Sequence, residues 1–453
     1  MPKKQISLSS SPARVIAGSF LGVILTGALL LSLPISAKNG SITNFFDALF
    51  TATSATCVTG LVAVDTYTHW SYFGQGVILA LIQIGGLGLV TLTLFFNLLI
   101  RRRLGFRTLQ LAQESTSASN FEDAPRLLRG IVGMSLAVEG IGAVLLLPAF
   151  LPRYGTQGIF ISIFTSISAF CNAGFDLLGR EGAYSSLTHY NGSYVLLVVA
   201  ALIIIGGLGF MVLFDLLGLR KTKKLSFHSR VVLICTACLL LVGTVGFAAL
   251  EWNNPATMGE LPFWQKLNAA FFQSVSTRTA GFNSVDFGSM NEVSKILSIG
   301  LMFIGAAPGS TGGGIKVTTV VVVLMTAVSV AWGYEDTVIM KHKIKRQMVN
   351  KALTVVLTGF LLILLVSGVM VYTTHSGTVV SAIDALFEAT SAFATVGLSV
   401  GITGIANLPS KLLLIVTMFV GRIGPVAFLL SLTAGAGKVN KKQVMPEGQI
   451  QVG

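Results

Sequence analysis

Charge is what this chain has least of. Asp, Glu, Lys and Arg together make up 11% of its 453 residues, under half of the about 25% carried by ordinary globular chains. Long apolar runs recur along almost the whole length, which excludes a sizeable soluble domain, since segments of about twenty apolar residues are read as membrane spans. Cysteine is scarce, at 4, and histidine at 5. Cys57 and Cys171 stand apart. Cys235 and Cys238 form a CxxC inside an apolar helix, without a second pair or a nearby His, so a buried pair of free thiols is expected rather than a structural metal or a disulfide framework. His69, His189, His228, His342 and His375 are scattered and form no ligand cluster. No nucleophile with a base and no metal cluster assembles from these residues, which argues against an enzyme. The first apolar stretch, Val15 to Leu33, lacks an A-x-A-like cleavage site and is read as a retained span.

Acidic residues are the rarer sign, 18 against 31 Lys and Arg, for a net charge of +13. The cations do not form a nucleic-acid stripe. Most cluster at the N-terminus, Arg101 to Arg129, Arg220 to Arg230, Lys341 to Lys351 and the tail, where apolar segments end. This asymmetry predicts cytoplasmic placement of those segments and of both termini. Lys316 and Arg422 are exceptions, falling within membrane segments.

What the chain does have is a repeat. Phe50, Phe164, Phe271 and Phe387 are each followed ten residues on by a glycine, Gly60, Gly174, Gly281 and Gly397, in FTATSATCVTGL, FTSISAFCNAGF, FFQSVSTRTAGF and FEATSAFATVGL. The copies recur a little over a hundred residues apart, as one structural unit repeated around a molecule would. Each reads as a short helix followed by a strand of exposed carbonyls, ending in a glycine free of Cβ restrictions.

First spans are predicted at about Val15–Leu33, Leu127–Leu151, Val231–Leu250 and Ala352–Tyr372, and second spans at about Val77–Ile100, Tyr194–Leu217, Ile296–Val330 and Leu412–Leu432. The expected fold is thus an all-α membrane protein of four parallel repeats, 1–110, 111–225, 226–345 and 346–453, each a span, a re-entrant segment and a second span. Eight crossings result. Two spans per repeat return the chain to its starting side, which excludes inverted repeats and opposes a secondary transporter of an organic solute. The short polar segments survive at membrane depth only around a shared cavity, here a pseudo-fourfold central pore.

Rings of backbone carbonyls replace the hydration shell of a cation, and helix C-terminal ends aimed at the same centre favour positive charge. At the three positions before each glycine stand Cys57, Val58 and Thr59; Cys171, Asn172 and Ala173; Arg278, Thr279 and Ala280; Ala394, Thr395 and Val396. None is acidic. Packing glycines of the small-xxx-small type would explain neither the fourfold register nor the polar flanks. Arg278 should point behind its strand, with Glu388 as its first-choice partner and Asp47 and Asp384 as further acidic candidates.

The third second-span carries FIGAAPGSTGGGIK, residues 303 to 316. Five glycines and Pro308 should break the helix into an intramembrane loop. It is no P-loop, because Ile315 separates Gly314 from Lys316 and Val317 follows. Milder versions occur at Gly85–Gly88, Gly206–Gly209 and Gly421–Pro425.

Thr395, Val396 and Gly397 also match the opening TVG of a potassium-channel filter. With four pore units, eight spans and no other domain, the chain resembles the ion-translocating subunit of the Trk/Ktr/HKT potassium transporter family, in its KtrB-like branch, over essentially its whole length. The resemblance implies potassium uptake through a filter formed by Val58, Thr59 and Gly60; Asn172, Ala173 and Gly174; Thr279, Ala280 and Gly281; and Thr395, Val396 and Gly397. K+ is then cargo at the filter, with no cofactor and no structural metal. It implies a gate made by Gly305, Ala306, Ala307, Pro308, Gly309, Ser310, Thr311, Gly312, Gly313, Gly314 and Lys316, with Arg422 nearby. It also implies a homodimer in the bacterial plasma membrane, docked on a cytosolic KtrA-like ring that binds adenine nucleotides. The basic stretches Arg101–Arg107, Arg220–Lys224 and Lys341–Arg346 are candidate receiving surfaces. A sodium-preferring pore of the same architecture stays open, because carbonyl-ring selectivity depends on geometry and stiffness.

Overall fold

Each predicted first span is a long apolar run and forms one long helix in the computed structural model, which describes residues 12–88, 124–373 and 380–433. In chain order, α1 (Pro12–Ser32), the short α2 (Phe45–Cys57) and α3 (Tyr72–Leu87) make a first segment. The second comprises α4 (Ala124–Tyr154), the short α5 (Gln157–Phe170), α6 (Tyr194–Leu208) and α7 (Phe210–Thr222). In the third, α8 (Phe227–Glu251), the short α9 (Phe263–Ser276), α10 (Glu292–Phe303) and α11 (Val317–Ala331) are followed by a small hairpin, β1 (Val338–Ile339) and β2 (His342–Lys343). The last contains α12 (Arg346–Thr373), the short α13 (Ala382–Ala394), α14 (Leu408–Ile423) and α15 (Pro425–Thr433). The hairpin turns through Met340 (φ 45°) and Lys341 (φ 66°), the twist that matches antiparallel strands.

Among the described residues, four helices are long and apolar enough to cross a membrane: Arg14–Ser32, Leu127–Tyr154, Phe227–Glu251 and Arg346–Thr373. The second spans differ from the continuous helices expected at 194–217 and 412–432. Tyr194–Leu208 and Phe210–Arg220 meet at 99°, and α14 gives way to α15 at Gly424. The breaks fall at Gly209 (φ 87°) and Gly424 (φ 94°), in conformations that a Cβ disfavours. The third span is divided between α10 and α11, where the glycine-rich stretch predicted a loop. The continuation of the first beyond Gly88, and with it the basic stretch 101–107, lies outside the described residues, as do 1–11, 374–379 and the tail from 434.

The short helices are 13 or 14 residues long, about 20 Å at 1.5 Å per residue, too short for a hydrocarbon core of about 30 Å. They are held inside the protein instead. Phe50, Phe164 and Phe387 are fully buried. In the third copy the buried anchor is Phe272, one residue later than the repeat spacing indicates, and Phe271 is only half-buried.

Each long helix packs on the short helix of its own segment, and each short helix also packs on the post-turn helix of the preceding segment: α5 on α3, α9 on α6, α13 on α10 and α2 on α14. The last contact closes the circle. Within the first, second and fourth segments a glycine also lets the post-turn helix approach its own short helix. A Cβ on Gly85, Gly206 or Gly421 would collide with the backbone carbonyl of Thr56, Phe170 or Phe393, respectively. The double glycines that the sequence offers as helix breakers therefore serve first as contact surfaces.

Gly421→Ala is expected to destabilise the protein by about 1–3 kcal/mol, the usual cost of overpacking a close contact. Gly300→Ala, on α10 with no neighbour within 4 Å of the added carbon, is expected to be neutral or stabilising. Thermal unfolding in detergent of the two variants beside the parent checks both.

Candidate functional site

The last turn of each short helix leads directly into its glycine strand. Val58 (φ 57°), Asn172 (φ 59°), Thr279 (φ 68°) and Thr395 (φ 50°), each two places before the glycine, are left-handed. Gly60, Gly174, Gly281 and Gly397 also have positive φ, at 95°, 70°, 79° and 93°. A left-handed residue just past a helix end lets following amides bond back to the last helical carbonyls. Thr59 N donates to Ser54 O (2.8 Å), Ala173 N to Ser168 O (2.7 Å) and Val396 N to Ser391 O (2.8 Å). The Ser54 and Ser391 hydroxyls accept the next amides, those of Gly60 and Gly397, each at 3.1 Å.

In the third copy Ala280 N reaches only to Ser276 O (3.0 Å), four residues back instead of five. That turn is one residue tighter, which explains the shifted Phe272. The serine six places before the glycine in the other three copies was not singled out from sequence, although the repeat displays it; the third copy, with Val275 there, breaks the pattern.

With their amides spent on the helices, the strands present carbonyls to one another. The position of a Cβ on Gly60 lies 2.6 Å from Ala173 O; on Gly174, 2.8 Å from Ala280 O; on Gly281, 2.5 Å from Val396 O; and on Gly397 it meets Thr59 O. Each glycine thus abuts the next strand, in the order 60, 174, 281, 397 and back to 60. All four glycines and the residues flanking them are buried. The twelve residues expected at the site are brought together.

Beyond the glycines a cavity of about 210 Å³ opens, lined by all four of them and by Asp65, Asp176 and Asp286. These carboxylates follow their glycines within five residues and escaped the sequence reading, which looked for acids only before each glycine. Asp65 accepts from Thr68 N (2.7 Å) and Tyr184 N (3.1 Å); Asp286 accepts from Gly288 N (3.0 Å) and Ser289 Oγ (2.7 Å). Asp176 accepts from Leu178 N (3.0 Å). Burial, with the charge of Asp65 adding to it, pushes the Asp176 carboxyl up to about 6.

The loop between α10 and α11 lies against the pre-glycine side of the strands. Gly312 faces the side chain of Thr279, Gly313 that of Thr395, and Gly314 (φ 66°) lies against Ala394 O. Ala307 N donates to Gly207 O (3.0 Å), Phe210 N to Gly309 O (3.0 Å) and Gly305 N to Ile315 O (2.8 Å). Thr311 Oγ1 donates to Phe170 O (3.0 Å). Lys316 Nζ folds back to Gly312 O (2.6 Å) and Gly313 O (3.3 Å). Arg422 donates one guanidinium nitrogen to Thr311 O and another to Gly85 O. Through these bonds the loop touches the second and fourth segments, and Arg422 links it to the first. Among the described residues neither cation forms an ion pair; carbonyl oxygens solvate both.

The pairing expected between Arg278 and Glu388 is not formed. Arg278 turns behind its strand toward α8, reaching Thr236 Oγ1 at 3.5 Å. Glu388 is fully buried and accepts from Ser399 Oγ (2.7 Å), Thr403 N (2.9 Å) and the Thr403 hydroxyl. The chain that follows Gly397 needs an acceptor, and Glu388 on the adjoining helix supplies it. Asp47 pairs with Lys411 and Asp384 with Lys295, at 2.8 and 2.7 Å, tying the fourth segment to the first and third. Cys57 and Cys171 are buried; Cys235 is half-buried and Cys238 exposed, because that face of α8 looks outward, so this pair is not the buried one expected.

Four glycine strands in cyclic contact, with a loop and two carbonyl-bonded cations against one side of them, make up the site, and comparison with known proteins decides the lineage. The profile of the TrkH family, described as a cation transport protein, matches residues 13–439. The chain belongs to this family, as a KtrB-like membrane subunit. It is 39% identical over 446 residues to the Ktr system potassium uptake protein B of Bacillus subtilis, covering 98% of this chain and 97% of that protein. Identity to the protein of the same name from Vibrio alginolyticus is 41% over 426 residues, 92% and 91% of the two chains. To the potassium/sodium uptake protein NtpJ of Enterococcus hirae it is 38% over 454 residues, 100% and 99%. The fold is similar to that of the potassium transporter TrkH from Vibrio parahaemolyticus, with a TM-score of 0.70 and 19% identity over 96% of this chain and 87% of that one. The chain is thus a multi-pass membrane protein of a cation transporter family, and its relatives support a role in cation uptake.

Asp176 gives a test of the cavity. A carboxyl titrating near pH 6 is charged above that value and neutral below it, so cation uptake at low external concentration should fall severalfold as the outer solution is acidified through about pH 6. Asp176→Asn should lower uptake at pH 7.5 and flatten the step. Initial rubidium uptake rates against pH provide the measurement.

Proposed function

We propose that the chain takes up potassium across the bacterial plasma membrane through the ring of Thr59, Ala173, Ala280 and Val396 carbonyls, and that the loop of residues 305–316 gates the path. On this reading the four segments are M1-P-M2 repeats, the divided post-turn helices complete eight crossings, and the breakpoints surround a pseudo-fourfold pore. The observation that carries it is the cyclic contact of each filter glycine with the next strand's carbonyl. A cation entering from the Asp65, Asp176 and Asp286 cavity exchanges water for these oxygens, with four helix C-termini adding negative potential. Below, the loop occupies the path, and Lys316 and Arg422 add an electrostatic barrier while fixing it to carbonyls of the first and third segments. The names of the Ktr relatives favour potassium over the sodium-preferring reading.

Subunit assembly follows the same reading. A Ktr-type membrane subunit works as a homodimer, termini cytoplasmic, on a nucleotide-binding KtrA-like ring. On this reading the basic stretches at 220–224 and 341–346 receive that ring.

Gly281→Ser places a side chain against Val396 O, and is expected to reduce potassium-over-sodium preference about tenfold, equivalent to about 1.4 kcal/mol, in liposomes holding the protein alone. A variant that keeps its preference would remove Gly281 from the filter. Deleting Gly309–Gly314 is expected to raise flux; unchanged flux in a folded deletion variant would remove the loop from gating.

A further inference from the structure

The end of the bundle where α8 and α12 begin carries a groove beside the basic stretch 341–346; the transport reading gives that stretch a regulatory ring but gives the groove itself no occupant. It has a volume of about 340 Å³, lies between α8, α11, α12 and the hairpin, and is walled by Phe227, Val231, Val322, Ile339, Ile344 and Val355. The Phe227 ring lies against His342 of the hairpin, centroids 4.5 Å apart. Lys351 lines the groove, and Arg230, one residue before Val231, and Arg346 project from the same two helix starts. All three are exposed, and among the described residues none forms an ion pair. Of the acids nearby, Asp336 pairs with Lys343 at 2.5 Å and Asp215 accepts from Ser229 Oγ at 2.5 Å, while Glu335 is exposed beside the hairpin.

We propose that this groove binds an anionic phospholipid, its acyl chain on the apolar wall and its phosphate at Arg230, Arg346 and Lys351. Charge complementarity selects the occupant. Hydrocarbon walls call for an apolar chain, and the cations, Lys351 in the lining with Arg230 and Arg346 at the starts of the two helices that wall the groove, call for a net anion, which a zwitterionic lipid does not supply. Position selects it too, because α8 and α12 continue into the membrane-crossing helices Phe227–Glu251 and Arg346–Thr373, so the groove opens at the bilayer surface where lipid is concentrated. Thr318 and Thr319, in the first turn of α11, also line it. They follow Lys316, whose ammonium holds Gly312 O and Gly313 O. A bound lipid therefore touches the helix that anchors the loop beneath the carbonyl ring.

The test is independent of transport. Full-length protein in detergent is titrated with phosphatidylglycerol or phosphatidylcholine bearing identical oleoyl chains, and bound lipid is counted by native mass spectrometry. Phosphatidylglycerol should be retained at about tenfold lower concentration, as expected for two or more cations near one phosphate. The preference should be lost in R346Q/K351Q, altered only at exposed positions, and binding of both lipids should drop in V322W, which fills the groove. The surface double variant stands on its own should the tryptophan variant not fold. Equal retention of the two lipids, or a preference that survives in R346Q/K351Q, overturns the proposal. A protein that binds phosphatidylglycerol as expected but shows no potassium preference would leave this site intact and overturn only the transport reading.

Discussion

The structure depends on backbone touching backbone at four points. Any side chain on Gly60, Gly174, Gly281 or Gly397 would occupy the space of the neighbouring strand's carbonyl or α carbon, so the ring closes only because these four residues have none. Close approach of bare peptide groups inside an apolar protein would ordinarily leave amides unsatisfied at a cost of about 1–3 kcal/mol each. Here the amides of Thr59, Ala173, Ala280 and Val396 bond back to the short helices, while the carbonyls of the same four residues lie against the neighbouring strand's glycine. On the proposed reading, this division of donors from acceptors makes the centre a place for a cation.

The packing of the bundle follows from that centre. Short helices must point their C-termini at it, so they sit inside the long helices and against the preceding segment. Gly85, Gly206 and Gly421 let the post-turn helices come within contact of the last carbonyls of those short helices. The third segment departs from its siblings throughout: its turn is one residue tighter, its anchor is Phe272, and its post-turn helix opens into the loop that bonds to the second and fourth segments and, through Arg422, is linked to the first. Charge of opposite sign lies on the two sides of the glycines, three carboxylates lining the cavity beyond them and two carbonyl-solvated cations before them.

The repeat, the four glycines and the break in the third span were legible because each is a local signal: a fixed spacing, a residue without Cβ, a cluster of helix breakers. The partners of Arg278 and Glu388 were not legible. Sequence offers every acid as a partner for a buried guanidinium, but which one is near depends on the direction in which each strand leaves its helix, and Glu388 is claimed by Ser399 and Thr403 eleven and fifteen residues on. The same holds for the cavity carboxylates: Asp65 and Asp286 stand five residues after their glycines but Asp176 only two, and the fourth copy has none, although one space collects all three. The double glycines show the opposite error, since a breaker's composition does not reveal that the residue is small because a carbonyl lies against it.

The sequence by itself determined membrane residence, fourfold repetition and the chemistry of the conserved-length turns, because hydropathy and the lack of a Cβ act residue by residue. Tertiary structure alone decided which strand follows which around the ring and that Arg422 fastens the third segment's loop to the first segment. Those outcomes depend on distances between residues hundreds of positions apart, which no local preference encodes.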